Sequence, residues 1–134
     1  ERGHRRERWQ RIAVSSSKQC GRAVVPVVLE PCTLKDTTAA LLDLTKKAAS
    51  GIALPGLMCV EPTASADAIS LMDLEATPPS EVTVLVGPEG GWSAEEVSAG
   101  SAACQLVTLG PRTLRADAMA LVGLTALFTR WREI

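Results

Sequence analysis

The sequence predicts an α/β layer fold, a mostly parallel sheet flanked by helices, on three observations. Helical apolar periods alternate with short strand-like runs along the chain. Residues 82–86 form an unbroken β-branched and aliphatic stretch of the kind found in strands buried on both faces, and residues 104–109 are of the same type. Both runs end in Gly-Pro, and a helical pattern follows each.

In chain order, residues 5–20 carry Trp9, Ile12, Ala13 and Ser16 at helical spacing and close at Gly21. Residues 23–29 are rich in Val but interrupted by Pro26, which predicts a strand at or near an edge. Thr33 or Asp36 is placed to cap a helix running through Leu41, Leu42, Leu44 and Ala48 to a stop at Gly51. Residues 52–60 read as a short strand weakened by Pro55 and Gly56. Within the polar stretch 62–81, residues 68–74 suit one or two helical turns. Ser93-Ala94-Glu95-Glu96 is a capping box that opens the helix after residues 82–86. Residues 117–131 form a last, strongly apolar helix with Leu121, Leu124, Thr125 and Phe128 at core spacing.

With 134 residues, 46% hydrophobic and 22% charged, the chain suits one globular domain with an aliphatic core. One Phe, three Trp and no Tyr leave little for base stacking, which excludes a single-strand binder of the aromatic-platform type. The net charge of −1 is unevenly spread, because residues 1–22 hold seven basic and two acidic side chains. That basic end fits a polyanionic partner and equally fits a solvated helix face. Cys20, Cys32, Cys59 and Cys104 lie far apart and His4 is the sole histidine, so no metal site is expected. Scattered thiols without a signal peptide predict a cytoplasmic setting. No apolar run reaches the ~20 residues of a membrane span. The chain begins at Glu1 without an initiator Met, which points to a piece of a longer protein.

In open α/β sheets, ligands gather at the carboxyl ends of strands. Two such ends are elaborated here. In the first, Leu85-Val86-Gly87-Pro88-Glu89-Gly90-Gly91-Trp92, three glycines surround a carboxylate and let the backbone approach a ligand. The second, Leu109-Gly110-Pro111-Arg112-Thr113-Leu114-Arg115, sets two arginines at a turn. Gly-Pro is common punctuation, so either segment alone also reads as an ordinary turn. Neither matches a phosphate-cradling or dinucleotide glycine motif.

Together with Ser93 and Glu96, these two segments resemble the signature of the 16S ribosomal RNA uridine-N3 methyltransferases of the SPOUT superfamily. A third stretch, Glu7-Arg8-Trp9-Gln10-Arg11-Ile12 followed by Gln19-Cys20-Gly21-Arg22 and Val25-Pro26, resembles the family's middle segment. The matches run in the family's order over nearly the whole chain. The resemblance implies a deep C-terminal trefoil knot, S-adenosylmethionine as cofactor, a homodimer, and 16S ribosomal RNA or the small ribosomal subunit as partner. Organelle ribosomes use related enzymes, so an organelle is a second expected location.

Carried over residue by residue, Gly87, Glu89 and Gly90 would form one wall of the cofactor pocket, and Leu109, Gly110 and Leu114 another. Arg112 and Arg115 would face charge developing on the uracil or grip a phosphate. Glu89 or Asp117 would accept the N3 proton, with helix-terminal stabilisation the blander role for Asp117. The chain has Asp117-Ala118 where the family commonly has Glu-Thr, and Ser15 where a Glu is usual. It also lacks the family's N-terminal β-barrel and the first strand and helix of the methyltransferase domain, so residues 1–134 are expected to be an incomplete knotted domain. The alternatives are a non-catalytic knotted RNA-binding or ribosome-assembly module and a knotted methyltransferase acting on another RNA.

Overall fold

A computed structural model describes residues 2–47 and 56–134, which fall into two compact units, residues 1–33 and 34–134. In the first unit α1 (Arg2–Gln19) ends at Gly21, whose φ of 67° is the left-handed conformation glycine tolerates. The helix begins earlier than the sequence predicts. Trp9 and Ile12 from the expected apolar stripe are 43% and 54% exposed. Residues 23–29, expected as an edge strand, form no ladder. Side chains of α1 hold this segment instead. Gln10 donates from Nε2 to the Pro26 carbonyl at 3.0 Å and accepts the Val28 N–H at 2.8 Å, and Arg6 Nε donates to the Val28 carbonyl at 2.9 Å. Pro26 has no N–H for a ladder, and its carbonyl is satisfied by a side chain.

The second unit opens with α2 (Leu34–Lys47), which starts directly after Thr33 and carries Asp36 in its first turn. The expected helix end at Ala48 and Gly51 and the strand start at residue 52 lie outside the described residues. Among the described residues four strands follow: β1 (Gly56–Cys59), β2 (Ile69–Ser70), β3 (Thr83–Val86) and β4 (Cys104–Thr108). They form one sheet of order β2-β4-β1-β3, and all three pairings are parallel. The turns expected at 68–74 resolve into β2 and a single 3₁₀ turn (Leu71–Asp73), because Ile69 and Ser70 find the open edge of β4 at Val107 and Thr108.

Alternation along the strands sorts the core into two clusters. Met58, Val60, Leu85 and Leu106 pack with Leu41 of α2 and with Val97 of α3 (Ala94–Ser101). Leu57, Cys59 and Val107 face the other way, against Leu71 and against Leu127 of α4 (Ala116–Arg130). Helices therefore cover both sheet faces, as the sequence predicts. β1 is buried throughout, since it lies at the centre. β3 is not, contrary to expectation: it is an edge strand among the described residues, with Thr83 exposed and only Leu85 fully buried. At Gly100 a Cβ would meet the Met58 sulfur at 2.1 Å, so the missing side chain lets α3 close on the sheet.

The last helix turns a different side to the core than its spacing predicts. Leu127 is 1% exposed and Gly123 is buried, whereas Leu121, Leu124 and Phe128 are 71%, 44% and 43% exposed. An all-round apolar helix has no unique stripe, and here small Gly123 permits the closest approach, with Leu109 packed beside it. The far end is fixed by Arg130, whose guanidinium donates to the Leu74 carbonyl through Nε at 2.8 Å and also through Nη2.

Candidate active site

The carboxyl ends of β1, β3 and β4 lie at one edge of the sheet, because neighbouring parallel strands point the same way. There a cleft forms between residues 59–62 after β1, residues 86–92 after β3, and residues 109–119 leading into α4. The two Gly-Pro segments singled out in the sequence meet here, although 21 residues lie between Gly87 and Leu109 along the chain. A second concavity, of about 460 Å³, lies near the amino ends of the strands between Leu57, Val82, Gln105 and Trp131. The cleft at the carboxyl ends is the better ligand site, because strand-end loops there can vary without disturbing the sheet.

Local chemistry explains how the loop after β3 holds its form. The Trp92 indole N–H donates to the Cys59 carbonyl at 2.9 Å, tying this loop to the end of β1. Gly87 lies against that indole, where a Cβ would come within 2.9 Å of Nε1. Gly91 donates its N–H to the Pro88 carbonyl at 3.0 Å in a tight turn and has φ of 74°. A side chain at Gly91 would also meet Glu61 Oε1 at 3.0 Å. The capping box then starts α3. Ser93 Oγ accepts from Glu96 N at 3.2 Å, and Glu96 Oε2 accepts from Ser93 N at 2.8 Å. Gly110 has φ of 77°, which turns the chain after β4 towards Arg112.

Of the expected site residues, Gly87, Glu89, Leu109, Arg112 and Leu114 line the cleft. Gly90, Gly110 and Arg115 do not. Gly90 and Gly110 shape the backbone beside it, and Arg115 is turned outward. Its Nε lies 3.2 Å from Asp117 Oδ1 on the surface, and the same Asp117 oxygen accepts the Ala118 N–H at 2.9 Å. Asp117 is thus occupied at the amino end of α4, the blander of its two expected roles. Trp92, the last residue of the first Gly-Pro segment, also lines the cleft, as do Glu61 and Met119, which lie outside both segments. The end of β1 carries no Gly-Pro, and only the parallel pairing of β1 with β3 and β4 brings it there. The ionisable side chains of the cleft are Glu61, Glu89, Arg112 and Cys59, and burial pushes the Cys59 thiol up to about 11. Among the described residues no group of three or more His, Cys, Asp or Glu could hold a metal ion, and no helix is long and apolar enough to cross a membrane.

Three comparisons bear on this geometry. A family described as an RNA methyltransferase domain matches residues 1–128. A ribosomal RNA small subunit methyltransferase E from Synechocystis sp. is 31% identical over 122 residues, which are 90% of this chain and 37% of the relative. Among solved structures, a ribosomal RNA small subunit methyltransferase E from Neisseria gonorrhoeae, bound to S-adenosyl methionine, is 31% identical with a TM-score of 0.77. It matches over 97% of this chain and 49% of its own. A methyltransferase from Legionella pneumophila in complex with the cofactor SAM is 27% identical with a TM-score of 0.73, over 96% of this chain and 47% of its own. The chain thus spans less than half the length of each of these three relatives.

Proposed function

Since the chain belongs to the RNA methyltransferase domain family, we propose that its strand-end cleft binds S-adenosylmethionine and serves methyl transfer to N3 of a uridine in 16S ribosomal RNA. The observation that carries this reading is the convergence of three strand ends on one cleft, with Gly87 packed against Trp92 where a Cβ would intrude. Two relatives of the same fold bind this cofactor, which supports assigning it here.

The residues present fit the group. Half-buried Leu109, Leu114 and Met119 offer an apolar wall for an adenine ring. Gly87 and Glu89 line the same cleft, with the Trp92 ring seated against Gly87. Bound there, S-adenosylmethionine supplies an electrophilic methyl group on a sulfonium. The chain has the remaining work: holding the uridine at near-attack distance, taking up the N3 proton and offsetting charge on uracil O2 and O4. Glu89 is the proton acceptor we assign, because it lines the cleft while Asp117 is engaged by Arg115 and the Ala118 N–H. Arg112, also lining the cleft, faces the developing charge. Outward-turned Arg115 is placed to meet a phosphate of the target strand.

Three further features belong to this reading. A C-terminal trefoil knot is supported by the strand order: β4 lies between β1 and β2, so residues 60–68 must cross the end of β4 where the chain leaves for α4. A homodimer is supported by the exposed Leu121, Val122, Leu124 and Phe128 on α4, which water alone would cover at a cost. The setting is the cytoplasm or an organelle, wherever small ribosomal subunits are modified. Radiolabelled methyl transfer to under-methylated small subunits tests the function. Label recovered as N3-methyluridine is expected from this protein, and no transfer would refute the assignment.

A further inference from the structure

Helix α1 carries Arg2, Arg5, Arg6, Arg8, Arg11 and Lys18 against a single acid, Glu7. Arg6 is engaged with the Val28 carbonyl and lies 3.3 Å from Glu30, and Glu7 lies 3.9 Å from His4. Arg8, Arg11 and Lys18 are exposed and take part in none of the ion pairs among the described residues. At 100° per residue, Arg8, Arg11, Ser15 and Lys18 share one face of the helix over about 15 Å. Arg6 and Gln10, which hold residues 26–30, lie on another.

A helix face that is merely solvated usually mixes signs, because opposite charges three or four residues apart stabilise it. Here Arg5, Arg8 and Arg11 stand three apart with like charge, an arrangement that costs helix stability. Glu7, four residues before Arg11 and on the same side of the helix, offsets only part of that cost, and Arg8 and Lys18 have no acid three or four residues away. Residues that break a local rule without local gain are candidates for function. We propose that this stripe docks the phosphate backbone of RNA, rather than an acidic protein, and does so outside the cofactor cleft. The inference rests on the reading of the chain as an RNA-modifying domain. With one Phe and three Trp in the whole chain, contacts to phosphate rather than stacking on bases must carry the affinity of such a surface. The contacts are then insensitive to base sequence and weaken steeply with salt.

The test follows a fluorescein-labelled RNA hairpin by anisotropy, with the 134-residue chain over a series of salt concentrations. The Arg8→Gln, Arg11→Gln, Lys18→Gln triple variant is compared with the native sequence, and circular dichroism checks the helix. Removing three phosphate contacts should lower the slope of log affinity against log salt by about 3 and weaken binding at least ~10-fold. S-adenosylmethionine uptake by the same samples should be unchanged. An unaltered slope in the variant overturns the proposal, as does displacement of the hairpin by poly-glutamate at equal charge concentration. A native chain that takes up cofactor but no RNA also overturns it and leaves the cofactor assignment intact.

Discussion

A methyl group added at Gly91 would face two obstacles at once: a backbone φ of 74° and a carboxylate oxygen of Glu61 3.0 Å away. Gly91→Ala is therefore expected to cost about 1–2 kcal/mol, measured as a lower urea midpoint at unchanged slope. Gly110→Ala has the same backbone strain but no atom within 4 Å, so it should be the milder change. The buried thiols have a different signature. Burial raises the Cys59 pKa from 9.0 to about 11, and Cys104 shifts in the same direction. The folded state therefore holds its thiol protons where the unfolded chain has released them. Below pH 9 both states are protonated and the contribution is complete, and it is lost as pH rises from 9 towards 11. Urea unfolding should show an alkaline loss of roughly 2–3 kcal/mol that shrinks in Cys59→Ala. Equal alkaline sensitivity in both proteins would contradict it.

Elements differed in how openly the sequence declared them. The helix after β3 was legible from four residues, since the Ser93–Glu96 capping box satisfies its own backbone groups and needs no distant partner. β1 and β4 were legible because their residues are apolar enough to be central. β3 misled because an unbroken aliphatic run says that a strand can be buried, while its place at the edge is set by the order of pairing. The orientation of α4 was hidden for a related reason: with apolar residues on every side, the choice of Gly123 and Leu127 over Leu121 and Phe128 is made by the shape of the sheet beneath. That leaves an exposed apolar face to be covered, and a second copy of the chain is the occupant we assign. A Leu121→Lys, Phe128→Lys variant should sediment as a monomer at concentrations where the native sequence is a dimer. A native chain that is monomeric throughout would contradict the dimer.

For the whole molecule, two Gly-Pro strand ends were enough to locate the cleft, because parallel strands must deliver their carboxyl ends to one edge. The third wall at Cys59–Glu61, with Trp92 tied across to it, was not legible, since it depends on β1 lying between β3 and β4. The outward turn of Arg115 was hidden too, as its pairing with Asp117 is a matter of rotamer rather than spacing. The central claim, that this cleft takes S-adenosylmethionine, is tested most directly by calorimetric titration of the chain alongside Gly87→Val. The added side chain must displace the Trp92 ring, which lines the cleft and packs against the core cluster around Met58, so the urea midpoint of both proteins is measured alongside to separate lost binding from lost folding. One cofactor bound per chain by the native sequence, with affinity at least ~10-fold weaker in the variant, is the expected result. Absence of binding by the native chain, or equal affinity in the two, would contradict it.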